Sequence, residues 1–360
     1  MRLRTLVVLL LVAFPLFNIA LSQHTWKEGI VKSELIFEKA PFTECHASTI
    51  AETKEGLVVA FFGGTQEKNP DVGIWLARCV RGKWTKPVEV ANGIQPDGTR
   101  FPCWNPVLFQ IPGGDLLLFY KVGPSPIEWW GMVTRSHDGG KNWPAPERLP
   151  EGILGPIKNK PILRSAGMLL SPSSTESDRW KVHLELSADG GHTWEKTSSL
   201  GGADNLEAIQ PTILAYRAGR LQLLCRSKQN CIAESWSSDG GTTWSRLERT
   251  SLPNPNSGID AATLRDGRQI LVYNHSRKSN EAWGGPRSPL NAAISENGKT
   301  WLAAAILENE PGEFSYPAVI QTRNNLVHVT YTWKRKSIKH VVIDPAKCVP
   351  REIENGKWPE

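Results

Sequence analysis

Beyond residue 22 the 360-residue chain has no apolar run long enough to cross a bilayer, and no segment repeats apolar residues at the helical period. Neither a membrane anchor nor a helical bundle is expected. The six cysteines, Cys45, Cys79, Cys103, Cys225, Cys231 and Cys348, form no C-x-x-C pair and no cluster with histidine, so they read as structural or free thiols rather than zinc ligands. There is no calcium loop, no phosphate-cradling glycine-rich loop and no dinucleotide fingerprint, and therefore no metal and no cofactor is expected. Basic residues do not run together in the manner of a nucleic-acid binder; Lys334-Arg335-Lys336 is followed by strand-like sequence and reads as a loop rim.

The one long apolar stretch, Leu6 to Leu21, follows Arg2 and Arg4, is broken by Pro15 and Asn18, and ends on small residues at Ala20 and Ser22. That is the pattern of a signal peptide, residues 1–22, cleaved before Gln23. The expected product is secreted or periplasmic: residues 23–360 as one domain, a monomer whose net charge falls from +6 to +4 with Arg2 and Arg4 gone. A mild positive excess suits an anionic ligand.

Fifteen Trp, 31 Gly and 26 Pro go with many short strands and tight turns. An octapeptide recurs as Ser136-His-Asp-Gly-Gly-Lys-Asn-Trp143, Ser187-Ala-Asp-Gly-Gly-His-Thr-Trp194 and Ser237-Ser-Asp-Gly-Gly-Thr-Thr-Trp244, with a shortened copy ending at Trp301 and a weaker one at Trp84. The five Trp lie 59, 51, 50 and 57 residues apart, a blade-sized period. In each copy the Asp accepts backbone N–H bonds, the glycines take positive φ, and the Trp fills the gap between neighbouring blades. Asp138, Asp189 and Asp239 are turn formers.

A second repeat is out of phase with the first. Six segments open with a polar residue and Pro or Ala, then carry two apolar strands around a turn, beginning at His46, Asn105, Lys160, Gln210, Asp260 and Tyr316. Six repeats predict an all-β, six-bladed β-propeller, closed by an amino-terminal strand near Leu35 to Glu38. The entry residues of the inner strands then form a ring at one mouth of the central channel. A base, an acid, a phenol and a cation in one ring suit an asymmetric ligand site.

With these repeats in hand, the octapeptide resembles the Asp-box, or bacterial neuraminidase repeat, and the chain resembles the sialidase superfamily over nearly all of residues 23–360. Sialidases hold a substrate carboxylate with three arginines, protonate the leaving group with an Asp, and attack with a Tyr activated by a Glu. A neutral phenol approaches a carboxylate-bearing anomeric carbon with less repulsion than a carboxylate nucleophile would. The resemblance implies Tyr316 as nucleophile, Asp71 as acid/base, and Arg226 and Arg287 as carboxylate ligands. The chain departs from the pattern twice: Glu44-Cys45-His46-Ala47 stands where the first-blade Arg belongs, and Gln210 stands where the activating Glu belongs. Glu207, Asp260 or His46 is then expected to serve as the base, and Lys158 and Lys160 to supply the missing positive charge. Gln210 and Asn105 complete the substrate-binding set. The implied function is an exo-glycosidase acting on a terminal acidic sugar, sialic acid or uronic-acid type, of a glycan; the alternatives are a glycan-binding propeller without turnover and an Asp-box protein used for partner binding.

Overall fold

A computed structural model describes residues 25–164, 167–279 and 282–360; the leader of residues 1–22 lies outside them. Six small antiparallel sheets follow one another in sequence, as a six-bladed propeller requires. The second blade shows the pattern: inner strand Cys103–Gln110, then Leu116–Val122, Trp130–Ser136 and the short outer Glu147–Arg148. Its second strand, LLLFYKV, is buried at every position, because a blade is covered on both faces by its neighbours. Full burial of each Leu or Phe there is worth about 1.5–3 kcal/mol.

Ring closure comes from Ile30–Leu35, which pairs antiparallel with Ser337–Ile343 as the outer strand of the sixth blade. The strand lies amino-terminal to the expected Leu35–Glu38; only its tail reaches that far, with Ile36 N–H donating to the Ile338 carbonyl. The fifth blade carries an extra strand, Arg351–Glu352, at its outer edge, which the repeat pattern did not foreshadow.

The octapeptides join the third and fourth strands of successive blades. At Asp189, one carboxylate oxygen accepts the N–H groups of His192 and Thr193, and the other takes the Thr193 hydroxyl at 2.6 Å. These bonds hold the carboxyls of Asp138, Asp189 and Asp239 well below the ordinary range. Trp194 then packs edge-on to Phe119 of the preceding blade, ring centroids 5.9 Å apart. The motif is a turn that wedges one blade against the next.

The last hairpin of the sixth blade places two histidines together, and the closing strand adds an acid beside them. His328 and His340 stack at 5.1 Å with Nδ1 to Nε2 at 2.9 Å, and His340 meets Glu34 of the closing strand at 3.1 Å. Burial pushes His328 from 6.5 down to about 4, with His340 as a second cause, and burial likewise pushes His275 to about 4. Both are neutral when folded, whereas the unfolded chain takes up protons near 6.5. The stability they contribute is therefore present above that value and lost as pH falls from 6.5 to 4. The Asp-box carboxylates act only below their unfolded value of 3.8. Thermal unfolding followed across pH 4–7 should show the midpoint falling through this window, with a shallower fall in His328→Gln. Equal slopes in the two proteins would remove the histidine pair as the cause.

Candidate active site

The site begins with a backbone irregularity shared by four blades. Inner-strand pairing shifts between His46 and Thr49, Trp104 and Val107, Ile209 and Thr212, and Ser315 and Ala318. At each bulge one residue takes positive φ: Ala47 (58°), Asn105 (40°), Gln210 (55°) and Tyr316 (52°). A bulge re-aims the side chain it carries. The equivalent of Asn105, Gln210 and Tyr316 is thus Ala47, and the expected register is off by one at His46. His46 still reaches the same mouth, its ring centroid 4.2 Å from that of Tyr316.

Lys160 and Asp260 do not join them. The Lys160 ammonium bonds the Asp260 carboxylate at 2.9 Å, and that carboxylate also accepts the Thr212 hydroxyl and the Val319 N–H. Both residues are consumed in tying blades together. Lys158 is likewise structural: its ammonium donates to the carbonyls of Ile259 and Pro317, while the Asn159 amide donates to those of Gln210 and Pro211. The entry to the third blade thereby crosses to the entries of the fourth, fifth and sixth. Burial pushes Lys158 down to about 7, with Asp260 opposing.

Over this strut lies a cavity of about 300 Å³ lined by residues of all six blades, among them His46, Asn105, Gln210, Arg226, Arg287 and Tyr316. Arg226 is buried. Its Nε donates to Asn256 Oδ1 at 2.7 Å and one terminal nitrogen donates to the Tyr316 hydroxyl oxygen at 2.9 Å, while Trp180 and Trp283 flank the guanidinium at 5.4 Å each. Gln210 Nε2 donates to the same phenol oxygen at 3.2 Å. The Tyr316 ring rests on Gly258, where an added Cβ would stand 3.1 Å from the ring. Arg287 has a buried terminal nitrogen with no hydrogen-bond partner, and burial together with Arg226 pushes it down to about 10. Among the described residues neither Arg226 nor Arg287 has an ion-pair partner within 4.0 Å. His46 is held neutral, first by burial and then by the cations around it, Arg335, Arg287, Arg226 and Lys158.

Two expected acids lie elsewhere. Asp71 is exposed outside the cavity, one oxygen taking the Thr65 N–H and the other the Thr65 hydroxyl, both at 2.9 Å, as a turn residue does. Glu207 lines a different cleft and pairs with Lys228 at 3.1 Å.

The cavity holds residues that the sequence pattern did not single out. Arg335 enters from the hairpin turn of the last blade, between Glu67 at 2.5 Å and Glu313 at 3.1 Å. Lys334 and Arg335 both have positive φ (52° and 58°) and Lys336 N–H closes the turn on Trp333, a two-residue hairpin geometry that favours Gly or Asn. Lys68, Trp129 and Trp283 are further additions, and so is Glu176, which is half-buried and without a hydrogen-bond or ion-pair partner among the described residues.

A family model described as a BNR repeat-like domain matches residues 55–329. The anhydrosialidase of Macrobdella decora is 26% identical over 232 residues, covering 56% of this chain and 30% of that relative's length. Among solved structures, a protein of unknown function from Dyadobacter fermentans superposes with a TM-score of 0.69 at 19% identity, over 87% of this chain and 98% of that one. A Hadza microbial sialidase gives 0.70 at 15% identity, over 85% and 66% of the two chains. The K499G mutant of NanB sialidase from Streptococcus pneumoniae gives 0.69 at 12% identity, over 88% and 71%. These structural likenesses establish the fold.

A buried guanidinium with an orphaned donor and a cationic neighbour costs stability until an anion meets it. Replacing Arg287 by Met should therefore raise the thermal midpoint of the ligand-free protein, by about one to a few degrees. Calorimetry of the two proteins at pH 7 checks this, and a midpoint lowered by the substitution would show Arg287 to be a structural tie.

Proposed function

The chain belongs to the BNR repeat-like domain family and has the sialidase fold, and on that footing we propose that it is a glycoside hydrolase that removes a terminal acidic sugar from a glycan. The observation that carries this reading is the convergence of Arg226, Arg287 and Arg335 on one cavity that also holds the Tyr316 phenol. Guanidinium groups suit a carboxylate because their paired N–H groups match its two oxygens. Two of the three have no acid partner within ion-pair distance among the described residues, so a ligand carboxylate would satisfy charge that the fold leaves open.

In the proposed reaction the sugar carboxylate lies among the arginines and the Tyr316 oxygen bonds to the anomeric carbon as the glycosidic C–O bond breaks. His46 takes the phenol proton. His46 Nδ1 is paired with the Thr332 hydroxyl at 2.8 Å, so in the tautomer with the proton on Nδ1 the other nitrogen accepts, and a bound carboxylate would offset the cationic field that otherwise opposes its protonation. Water then releases the sugar from Tyr316. The predicted leader adds that this occurs outside the cytoplasm.

One observation favours a second reading, a glycan-binding propeller without turnover: the hydrogen-bond partners of the Tyr316 hydroxyl are Arg226 and Gln210, with no carboxylate among the described residues.

Purified protein assayed against fluorogenic sialosides, uronides and rhamnosides separates the two. The proposal expects turnover of a carboxylated glycoside, its loss in Tyr316→Phe with the fold intact, and about a 10–100-fold weaker hold on the acidic sugar in Arg226→Ala, the equivalent of a charged hydrogen bond worth about 1.5–3 kcal/mol. Binding of the free sugar acid with no turnover of any glycoside would establish the second reading. Preference for neutral sugars would overturn both.

A further inference from the structure

A second cavity, also about 300 Å³, adjoins the first. Pro126, Trp129 and Glu176 line both, so these three form the threshold between them. The second space is walled by Trp130, with the Arg148 guanidinium 4.8 Å above its ring, and by Lys196. Trp129 is anchored edge-on to Trp104 at 6.0 Å, and Trp104 in turn donates to the Gly123 carbonyl at 2.8 Å. Residues 152–154 of the lining are held through their backbone. The fully buried Glu185 carboxylate accepts the N–H groups of Leu154 at 3.0 Å and Gly155 at 2.6 Å, and His183 meets the same carboxylate at 3.0 Å. Two indoles, Trp129 and Trp130, with the polar Arg148, Glu151 and Lys196 give this space the mixed lining that receives a pyranose ring.

Glu176 stands at the threshold with its carboxyl unclaimed. Of the acids lining the first cavity, Glu67 and Glu313 are both clamped by Arg335. Asp71, which family resemblance would make the acid, is bound by Thr65 outside it. Burial pushes the Glu176 carboxyl above its ordinary range, against the opposing pull of Arg226 and Lys228, the direction that suits a general acid.

We propose that Glu176 is the acid that protonates the leaving oxygen, and that the second cavity is the subsite for the neighbouring sugar of the glycan. This rests on the reading of the first cavity as the acidic-sugar site. In the first step the anomeric C–O bond breaks, its electron pair goes to the leaving oxygen, and that oxygen takes the Glu176 proton. Tyr316 bonds to the anomeric carbon and its own proton passes to His46. In the second step a water attacks the same carbon, loses a proton to the Glu176 carboxylate, and expels the Tyr316 oxygen, which recovers its proton from His46. Every proton and electron pair is accounted for without a co-reactant.

The test compares two substrates of the same acidic sugar, one joined to a hexose and one to a nitrophenol. The hexose alkoxide is a poor leaving group and needs the proton; nitrophenolate leaves without it. Glu176→Gln, which keeps the shape and should keep the fold, is expected to lower kcat/KM on the hexose-linked substrate by about 10²–10⁴-fold; on the nitrophenyl substrate kcat/KM, which reports the first step, should fall far less, while kcat falls because the second step has lost its base. Trp130→Ala should raise KM for the hexose-linked substrate alone. Equal losses of kcat/KM on both substrates, or no loss on either, overturn the assignment of Glu176, and an unchanged KM in Trp130→Ala overturns that of the cavity. Wild type inactive on both substrates would instead sink the reading of the first cavity, so the two failures are told apart.

Discussion

The antiparallel ladder between Ile30–Leu35 and Ser337–Ile343 is the interaction on which the remainder depends. Each blade contributes only a few side chains to the cavity: His46 and Glu67 from the first, Trp104 and Asn105 from the second, Glu176 from the third, Gln210 and Arg226 from the fourth, Arg287 from the fifth, and Tyr316 and Arg335 from the sixth. No two adjacent blades hold enough of them to recognise anything. Their mutual distances are set by the circumference, and the circumference is set only when the first strand is hydrogen-bonded into the last sheet. Closure also removes the two exposed edges that an open arc would present.

Within that frame the electrostatics are deliberately uneven. Acids could have neutralised every buried cation, and at Arg335 they do, through Glu67 and Glu313. At Arg226 the neutral partners Asn256 and Gln210 take their place, with indole rings on two sides. These contacts orient the guanidinium without cancelling its charge. The positive field therefore remains available at the mouth, and the depression of His46 is one expression of it. The third guanidinium comes from the last blade's hairpin and not from the first blade, so the site regains three arginines although His46-Ala47 occupies the place of one.

How much of this could be read from the chain depends on whether a residue type is demanded locally. The Asp-box turns are legible because a short side chain with an oxygen acceptor, Asp in three copies and Asn297 in the shortened one, takes those N–H bonds and Gly fits the positive φ that follows, and their spacing counts blades. Tyr316, Arg226 and Arg287 came from the family resemblance, Tyr316 also as the sixth entry of the second repeat. The ring register failed at His46 because a bulge adds a residue, and the Pro that marks the bulge after Asn105, Gln210 and Tyr316 is absent from the first blade, where Ser48 follows Ala47. Arg335 was noticed as part of a basic triplet but its inward course depends on a hairpin turn whose type Lys-Arg does not announce. Glu176 could not be read at all: Glu176-Ser177-Asp178-Arg179 looks like any polar connection between strands, and its importance comes from which blade faces it.

The strut formed by Lys158 and Asn159 ties the third blade to the fourth, fifth and sixth, and so crosses between them beside the cavity. On the reading proposed above, a glycan is met at the mouth by one of its ends. If the site cleaves as proposed, the freed acidic sugar has to leave the same guanidinium groups that gripped it on arrival, and its release, not the cutting of the bond, becomes the natural ceiling on throughput.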